Sequence, residues 1–309
     1  HLKGKTVKQG EMEWTVQEEY QSFYGSIKII KIYNKKSKAN FNLFLQEGVV
    51  QSIVDSKGYS VANFTYVLEA LARGFIEKNS SILCLGLGAG NLPISLAQNG
   101  HSVEVVEINP ICRNVAVKHF NYDSSLAPVI IDDARVHVKY SRKKYDLIVI
   151  DVYQADLAPD YLVTKEFFKD LSDRLTKNGK IILYISSAAA FKAHPLNDII
   201  KTIQTVIPNT LLYYDEKPAD DDVTTAAFIV ACSDKNTCKR KPAHFEIPAN
   251  AIEIMNRVFK GPKPISRHNL LTSTIFTDNK NNYQWLARKQ SRLRRQYIIS
   301  QYPYELLIN

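Results

Sequence analysis

The chain has 309 residues, enough for one large domain or two ordinary ones, so its core needs no disulfide or metal staple. Hydrophobic residues make up 45% and charged residues 23%, which excludes a disordered or collagen-like chain. No apolar run reaches the ~20 residues that cross a bilayer. Forty Lys and Arg against 31 Asp and Glu leave a net charge of +9, which favours acidic partners without naming one.

The first sixty residues alternate polar and apolar positions. Residues 14–20, 26–33, 42–45 and 49–53 read as short strands, with turns at Gly25, 35–38 and Glu47-Gly48. They predict a small antiparallel β domain over 1–60. The pattern then changes. Residues 64–76 have helical spacing, and strands and helices alternate from there. Strands are predicted at 81–85, 102–107, 128–131, 145–151 and 178–186. Helices are predicted at 91–99, 110–120, 134–140, 164–175 and 193–206. Strands at 210–214 and 224–231 follow without a helix between them. Alternating units dictate a parallel sheet, and the closing pair should form a hairpin, giving seven strands with the last antiparallel. A helix at 249–259 and a basic stretch at 288–295 complete a second domain over 61–309.

Candidate site residues collect at the carboxyl ends of the strands, where open α/β sheets bind ligands. Leu85-Gly86-Leu87-Gly88-Ala89-Gly90-Asn91 follows a strand and opens a helix. Its glycines permit a tight turn and close backbone approach, and the helix start offers free N–H groups. The spacing GxGxG, with Asn91 where a dinucleotide fingerprint has its third glycine, is common in sheets that bind S-adenosylmethionine. Glu107 ends the second strand, about 20 residues beyond Gly86, where an acid binds ribose hydroxyls. Asp133, or Asp132 beside it, is placed to accept from an adenine amino group. The plain alternatives are a solvated strand end for Glu107 and helix capping for the aspartates. Asp151 ends the fourth strand and is the candidate acid for handling an amine proton, followed by Tyr153 and Gln154. The histidines lack HxH or HExxH spacing, so no metal is expected. Cys84 reads as a small buried hydrophobe. Cys232 and Cys238 flank a polar loop and would pair only in an oxidising compartment.

These residues resemble the spermidine synthase family, the polyamine aminopropyltransferases, and in particular its divergent, membrane-fused members. The likeness covers most of the chain. It rests on 43–51 with Gly48 and Gln51, on Tyr66, on the Gly86–Gly90 loop with Glu107, and on Asp133-Ala134-Arg135. Asp151, Pro159, 164–168 and Thr277-Asp278 complete it. The resemblance implies a Rossmann-like class I methyltransferase fold with a seven-stranded mixed sheet behind a small antiparallel β domain. It implies S-adenosylmethionine or its decarboxylated form as co-substrate, held by Gln51, Gly86, Gly88, Gly90, Asn91, Glu107, Asp132, Asp133 and Ala134. An aminopropyl or related alkyl group would pass to an amine near Asp151, Tyr153 and Gln154. A homodimer is in keeping with the family.

Two positions depart from the pattern. The family has an acid after the glycine loop, where this chain has Asn91, and a second acid three residues after the first, where it has Gln154. Each lost charge-assisted hydrogen bond to a cationic amine costs ~1.5–3 kcal/mol, so the pair costs ~10²–10⁴ in affinity. Putrescine is therefore not the expected acceptor. A methyltransferase using intact S-adenosylmethionine is the competing reading, and a non-catalytic nucleoside-binding relative is a third. The 288–295 cluster reads as a solvated helix face, with nucleic acid not an expected partner. The Asp220–Asp222 run reads as a solvated loop. With no signal peptide or membrane segment visible, the expected location is cytoplasmic.

Overall fold

The computed structural model describes residues 2–153, 156–188, 195–215 and 224–308. Gln154 and Asp220–Asp222 lie outside them. Among the described residues, β1 (Thr6–Gln9), β2 (Met12–Ser22), β3 (Gly25–Asn34), β4 (Ala39–Gln46) and β5 (Val49–Asp55) form an antiparallel meander in that order. The first strand was not legible, because its side chains are largely exposed and carry no apolar alternation.

The remaining elements alternate as the pattern predicts. They are α1 (Phe64–Phe75), β6 (Ser81–Leu85), α2 (Asn91–Gln98), β7 (Ser102–Glu107), α3 (Pro110–His119), β8 (Val129–Ile131), α4 (Ala134–Tyr140) and β9 (Tyr145–Ile150). Next come α5 (Lys165–Ser172), β10 (Leu175–Ala188), α6 (Leu196–Gln204), β11 (Asn209–Tyr214) and β12 (Thr224–Cys232). The chain closes with α7 (Ala249–Val258), α8 (Arg267–Thr272), α9 (Tyr283–Gln301) and α10 (Tyr304–Leu307). The second sheet has the order β11-β12-β10-β9-β6-β7-β8. Its pairings are parallel from β10 to β8, while β12 runs antiparallel to both β10 and β11. This is the seven-stranded mixed sheet of the methyltransferase-like Rossmann fold.

One predicted helix is shorter than expected. Thr164 caps α5 by accepting from the Phe167 N–H at 3.3 Å, and α5 ends at Ser172. Leu175, assigned to that helix by its apolar character, instead opens β10 by pairing with Tyr145.

Both faces of the large sheet are covered, so its central strands are apolar on both sides. Ile148 and Ile150 of β9 pack with Phe167, Phe168, Ile199, Phe276 and Tyr283 on one face. Leu147 and Val149 pack with Val67, Leu71, Leu96 and Ala251 on the other. The small sheet is held from two directions. Ile27, Ile29 and Phe44 meet Cys112 and Val115 of α3. Its other face, with Trp14, Val16, Ile30, Leu43 and Leu45, is closed by Leu306 from the chain end. Tyr302 meets Trp14 edge-on at 5.4 Å, and Lys28 Nζ donates to the carbonyls of Leu306 and Ile308. Cys232 and Cys238 are joined in a disulfide, and Cys84 and Cys112 are free and buried. Among the described residues no helix is long and apolar enough to cross a membrane.

Candidate active site

A cavity of about 700 Å³ opens at the carboxyl ends of β6, β7, β8 and β9. All the predicted site residues that are described line it: Gln51, Gly86, Gly88, Gly90, Asn91, Glu107, Asp132, Asp133, Ala134, Asp151 and Tyr153. Tyr66 does not. It faces an adjoining recess, its hydroxyl donating to the Ser60 carbonyl at 2.8 Å, and burial pushes its pKa up to about 12.

The glycine loop is glycine-rich for steric reasons that the backbone makes visible. Gly86 has φ +94°, and a Cβ there would stand 2.2 Å from the Asp151 carbonyl oxygen. Gly90 has φ +83°, and its Cβ would stand 2.1 Å from the Tyr122 ring. A side chain at Gly86 would push the loop off the strand end that carries Asp151, and one at Gly90 would push it off the Tyr122 ring. The loop is also tied to the small sheet, because Ala89 N–H donates to Ser52 Oγ at 3.1 Å. Asn91 Nδ2 donates to the Gly58 carbonyl at 2.8 Å, so this residue fastens the segment before α1 to the start of α2.

Glu107 is not a solvated strand end. Its carboxylate accepts from the Leu87 N–H at 3.2 Å and the Asn109 N–H at 2.8 Å. Burial raises its pKa, and these backbone donors oppose the rise. A carboxylate has about four lone-pair directions, so acceptor capacity remains for ligand hydroxyls.

For Asp133 the capping alternative is realised. It accepts from the Arg135 and Val136 N–H groups, both at 2.9 Å, as the cap of α4. Its other oxygen takes the Tyr161 hydroxyl at 2.7 Å. Asp132, which also faces the cavity, accepts from the Asp133 N–H at 2.8 Å. Arg135 leaves this turn to make a two-pronged pair with Asp278, at 2.8 and 2.5 Å. Thus Asp133-Ala134-Arg135 and Thr277-Asp278, far apart in sequence, meet at one edge of the site.

Asp151 lies at the end of β9, its backbone N–H bonded to the Leu85 carbonyl at 3.0 Å. Burial pushes its carboxyl up to about 6, with Arg294 pulling the other way. Tyr153 stands in an aromatic wall. Its ring is 5.4 Å from Tyr184, which stacks on Phe64 at 4.5 Å and meets Phe228 at 5.6 Å. The Tyr153 hydroxyl accepts from the Ser186 N–H at 2.6 Å, so packing and orientation account for it in part. Burial raises its pKa well above the ordinary value.

Four of the five residues of the basic cluster, Arg288, Lys289, Arg292 and Arg295, are exposed as expected of a solvated face, and Arg294 is the exception. Arg294 and Arg295 line the cavity, while Arg288 stacks on Trp285 at 4.0 Å. Arg294 lies 5.5 Å over the Tyr153 ring. Arg295 pairs with buried Asp156 at 3.1 Å, and Ser291 one turn earlier donates to the same carboxylate. The signal was present in the spacing. Tyr283, Ala287, Gln290 and Ile298 are the buried residues of α9, and Arg294 falls on their helical stripe.

A family model described as the methyltransferase small domain matches residues 58–211. The N-terminal histidine N-methyltransferase of Emericella nidulans is 29% identical over 162 residues, 51% of this chain and 28% of that protein. The polyamine aminopropyltransferase of Vibrio vulnificus is 32% identical over 139 residues, 42% of this chain and 46% of that protein. The chain thus spans less than half the length of either relative. A probable spermidine synthase from Corynebacterium glutamicum superposes with a TM-score of 0.62 at 15% identity, over 89% of this chain and 93% of that one. At that identity the likeness is one of fold. Its relatives being transferases of these two kinds, the chain is spermidine synthase-like, on a methyltransferase-type Rossmann sheet.

Proposed function

We propose that the protein is a transferase that binds an S-adenosyl sulfonium compound and moves an aminopropyl or related alkyl group onto an amine other than putrescine. The observation that carries this reading is Asp151, a desolvated acid that lines the cavity and whose backbone carbonyl lies against Gly86 of the glycine loop. The glycine loop would hold the ligand's sugar and tail, Glu107 its ribose hydroxyls, and the Asp132–Ala134 turn its adenine. When bound, the sulfonium supplies an electrophilic carbon. The acceptor nitrogen forms a bond to that carbon, the carbon–sulfur bond breaks with its electron pair on sulfur, and Asp151 takes the proton the nitrogen loses. With a carboxyl raised to about 6, Asp151 is ionised at neutral pH yet a stronger base than an ordinary aspartate. Phe64, Tyr153 and Tyr184 exclude water from this end of the cavity.

A second reading, methyl transfer from intact S-adenosylmethionine, is favoured by Arg294, whose guanidinium suits a carboxylated ligand. Thermal denaturation with methylthioadenosine, S-adenosylmethionine and decarboxylated S-adenosylmethionine tests both. A ligand at 100 times its Kd stabilises by ~2.7 kcal/mol. Stabilisation by methylthioadenosine is expected under either reading. Absence of any effect from all three compounds would overturn both.

A further inference from the structure

The charge at the two ends of the cavity differs. At the nucleoside end, Glu107, Asp132 and Asp133 are acidic and held by backbone donors. At the transfer end, beside Asp151 and the aromatic wall, stands Arg294. It comes from α9, an element outside the alternating units of the large sheet. It occupies an inward position on the buried stripe of that helix, where an apolar side chain would pack at no electrostatic cost. Its Nη1 is buried and has no hydrogen-bond partner among the described residues. Arg295, its neighbour, has its partners in Asp156, which with Ser291 fixes this stretch of α9 against the segment after β9. The helix is therefore anchored so that Arg294 is presented to the cavity and not to solvent. A buried guanidinium donor without a partner is costly unless a ligand supplies one.

We propose that Arg294 is a specificity-determining residue that takes a carboxylate of the bound small molecule, so that Asp151 and Arg294 together receive a group carrying both an amine and a carboxylate. This deepens the transferase reading above and rests on it. A guanidinium and a carboxylate match in a two-pronged geometry that no ammonium can offer. A polycation placed at the same end would meet a like charge a few ångströms away. At an effective dielectric constant of ~20 and a separation of ~4 Å, that disfavours it by about three orders of magnitude. The same carboxylate chemistry has two sources, the methionine tail of an intact donor and an amino-acid-like acceptor.

Matched pairs that differ by one carboxylate separate these sources. Calorimetry on the full chain would compare S-adenosylmethionine with decarboxylated S-adenosylmethionine. With methylthioadenosine present, it would also compare ornithine with putrescine, which is ornithine without its carboxylate. The expected result is that the wild type favours the carboxylated member of at least one pair by about 10–100-fold, the size of a charge-assisted hydrogen bond. The pair that shows it identifies the source. Arg294→Gln should abolish that ratio, and Arg294→Lys should restore only part of it, since an ammonium keeps the charge and loses the fork. Equal affinities within both pairs, or a ratio unchanged in Arg294→Gln, would overturn the assignment. Methylthioadenosine has no tail and reports on the nucleoside end alone. If it binds while the ratios fail, the Arg294 assignment falls and the transferase reading stands; if neither it nor either S-adenosyl compound binds, the transferase reading falls as well.

Discussion

Asp151→Asn is the substitution that separates burial from chemistry. The carboxyl has an ordinary value of 3.8, and burial lifts it to about 6 against the pull of Arg294. The gap is roughly two pH units at ~1.36 kcal/mol each, so ionised Asp151 costs the native state up to ~3 kcal/mol. The sign follows from proton binding. Between pH 3.8 and about 6 the folded state holds a proton that the unfolded state has lost, so this group's contribution to stability falls as pH rises through that window. Above about 6 the full penalty is present, and below 3.8 it is gone. The amide cannot ionise and escapes the penalty, so the Asn variant should be the more stable protein at pH 7, by up to ~3 kcal/mol. That advantage should shrink to nothing towards pH 4. Urea denaturation of both proteins from pH 4 to 8 measures the difference, in which all other titrating groups cancel. Turnover should move the other way. Wild-type kcat/KM should rise through an acid limb near pH 6, and the Asn variant should bind methylthioadenosine but not turn over. Parallel stability profiles for the two proteins would refute the claim that Asp151 is a buried, destabilised base.

Other substitutions probe the supports of the site. Glu107→Gln exchanges a charged acceptor for a neutral one and should weaken methylthioadenosine by about 10–100-fold in calorimetry. Asp156→Ala removes the anchor for Ser291 and Arg295. It should cost ~1–3 kcal/mol in urea denaturation and speed hydrogen exchange across residues 288–298 of α9. Reducing the Cys232–Cys238 bond, which spans a sequence separation of 6, should cost about 2 kcal/mol by the loop-closure relation. Mass spectrometry of the alkylated, unreduced protein should find two free thiols and not four.

The sheet and most of its edge were legible because both depend on local pattern. Apolar runs bounded by turn residues place β6, β7 and β9, and the acids and glycines that follow them sit where the chain must leave the sheet. Glu107 shows where that legibility stops. The sequence marks its position but not its environment, which depends on two N–H groups that only the folded loop brings to it. Asp133 is the converse, since its capping role is local and was readable, whereas the Tyr161 hydroxyl on its second oxygen was not. Arg294 was misread for a different reason. A run with five basic residues among 288–295 has the composition of a solvated surface. Composition hides period, and the period of α9 turns one of the five inward.

That inward arginine also changes what the net charge means. A total of +9 says little about a cavity whose lining carries Glu107, Asp132, Asp133 and Asp151 on strand ends and Arg294 and Arg295 on one helix. The acids belong to elements that the sheet itself positions, and a nucleoside with several hydroxyls and an amino group needs acceptors of that kind. The two arginines arrive from a segment that is held in place separately. Asp156 fixes its middle, Tyr302 and Leu306 lock its end onto the small sheet, and Asp278 ties its approach to Arg135. The first two of these anchors lie away from the strand-end acids, whereas the Arg135–Asp278 pair joins the turn that carries Asp133. On the proposed reading, the nucleoside is held by the strand-end acids, while the carboxylate, whether of the donor tail or of the acceptor, is selected by Arg294 from α9. A change in α9 can alter what the site accepts while leaving the glycine loop and its ligand geometry untouched.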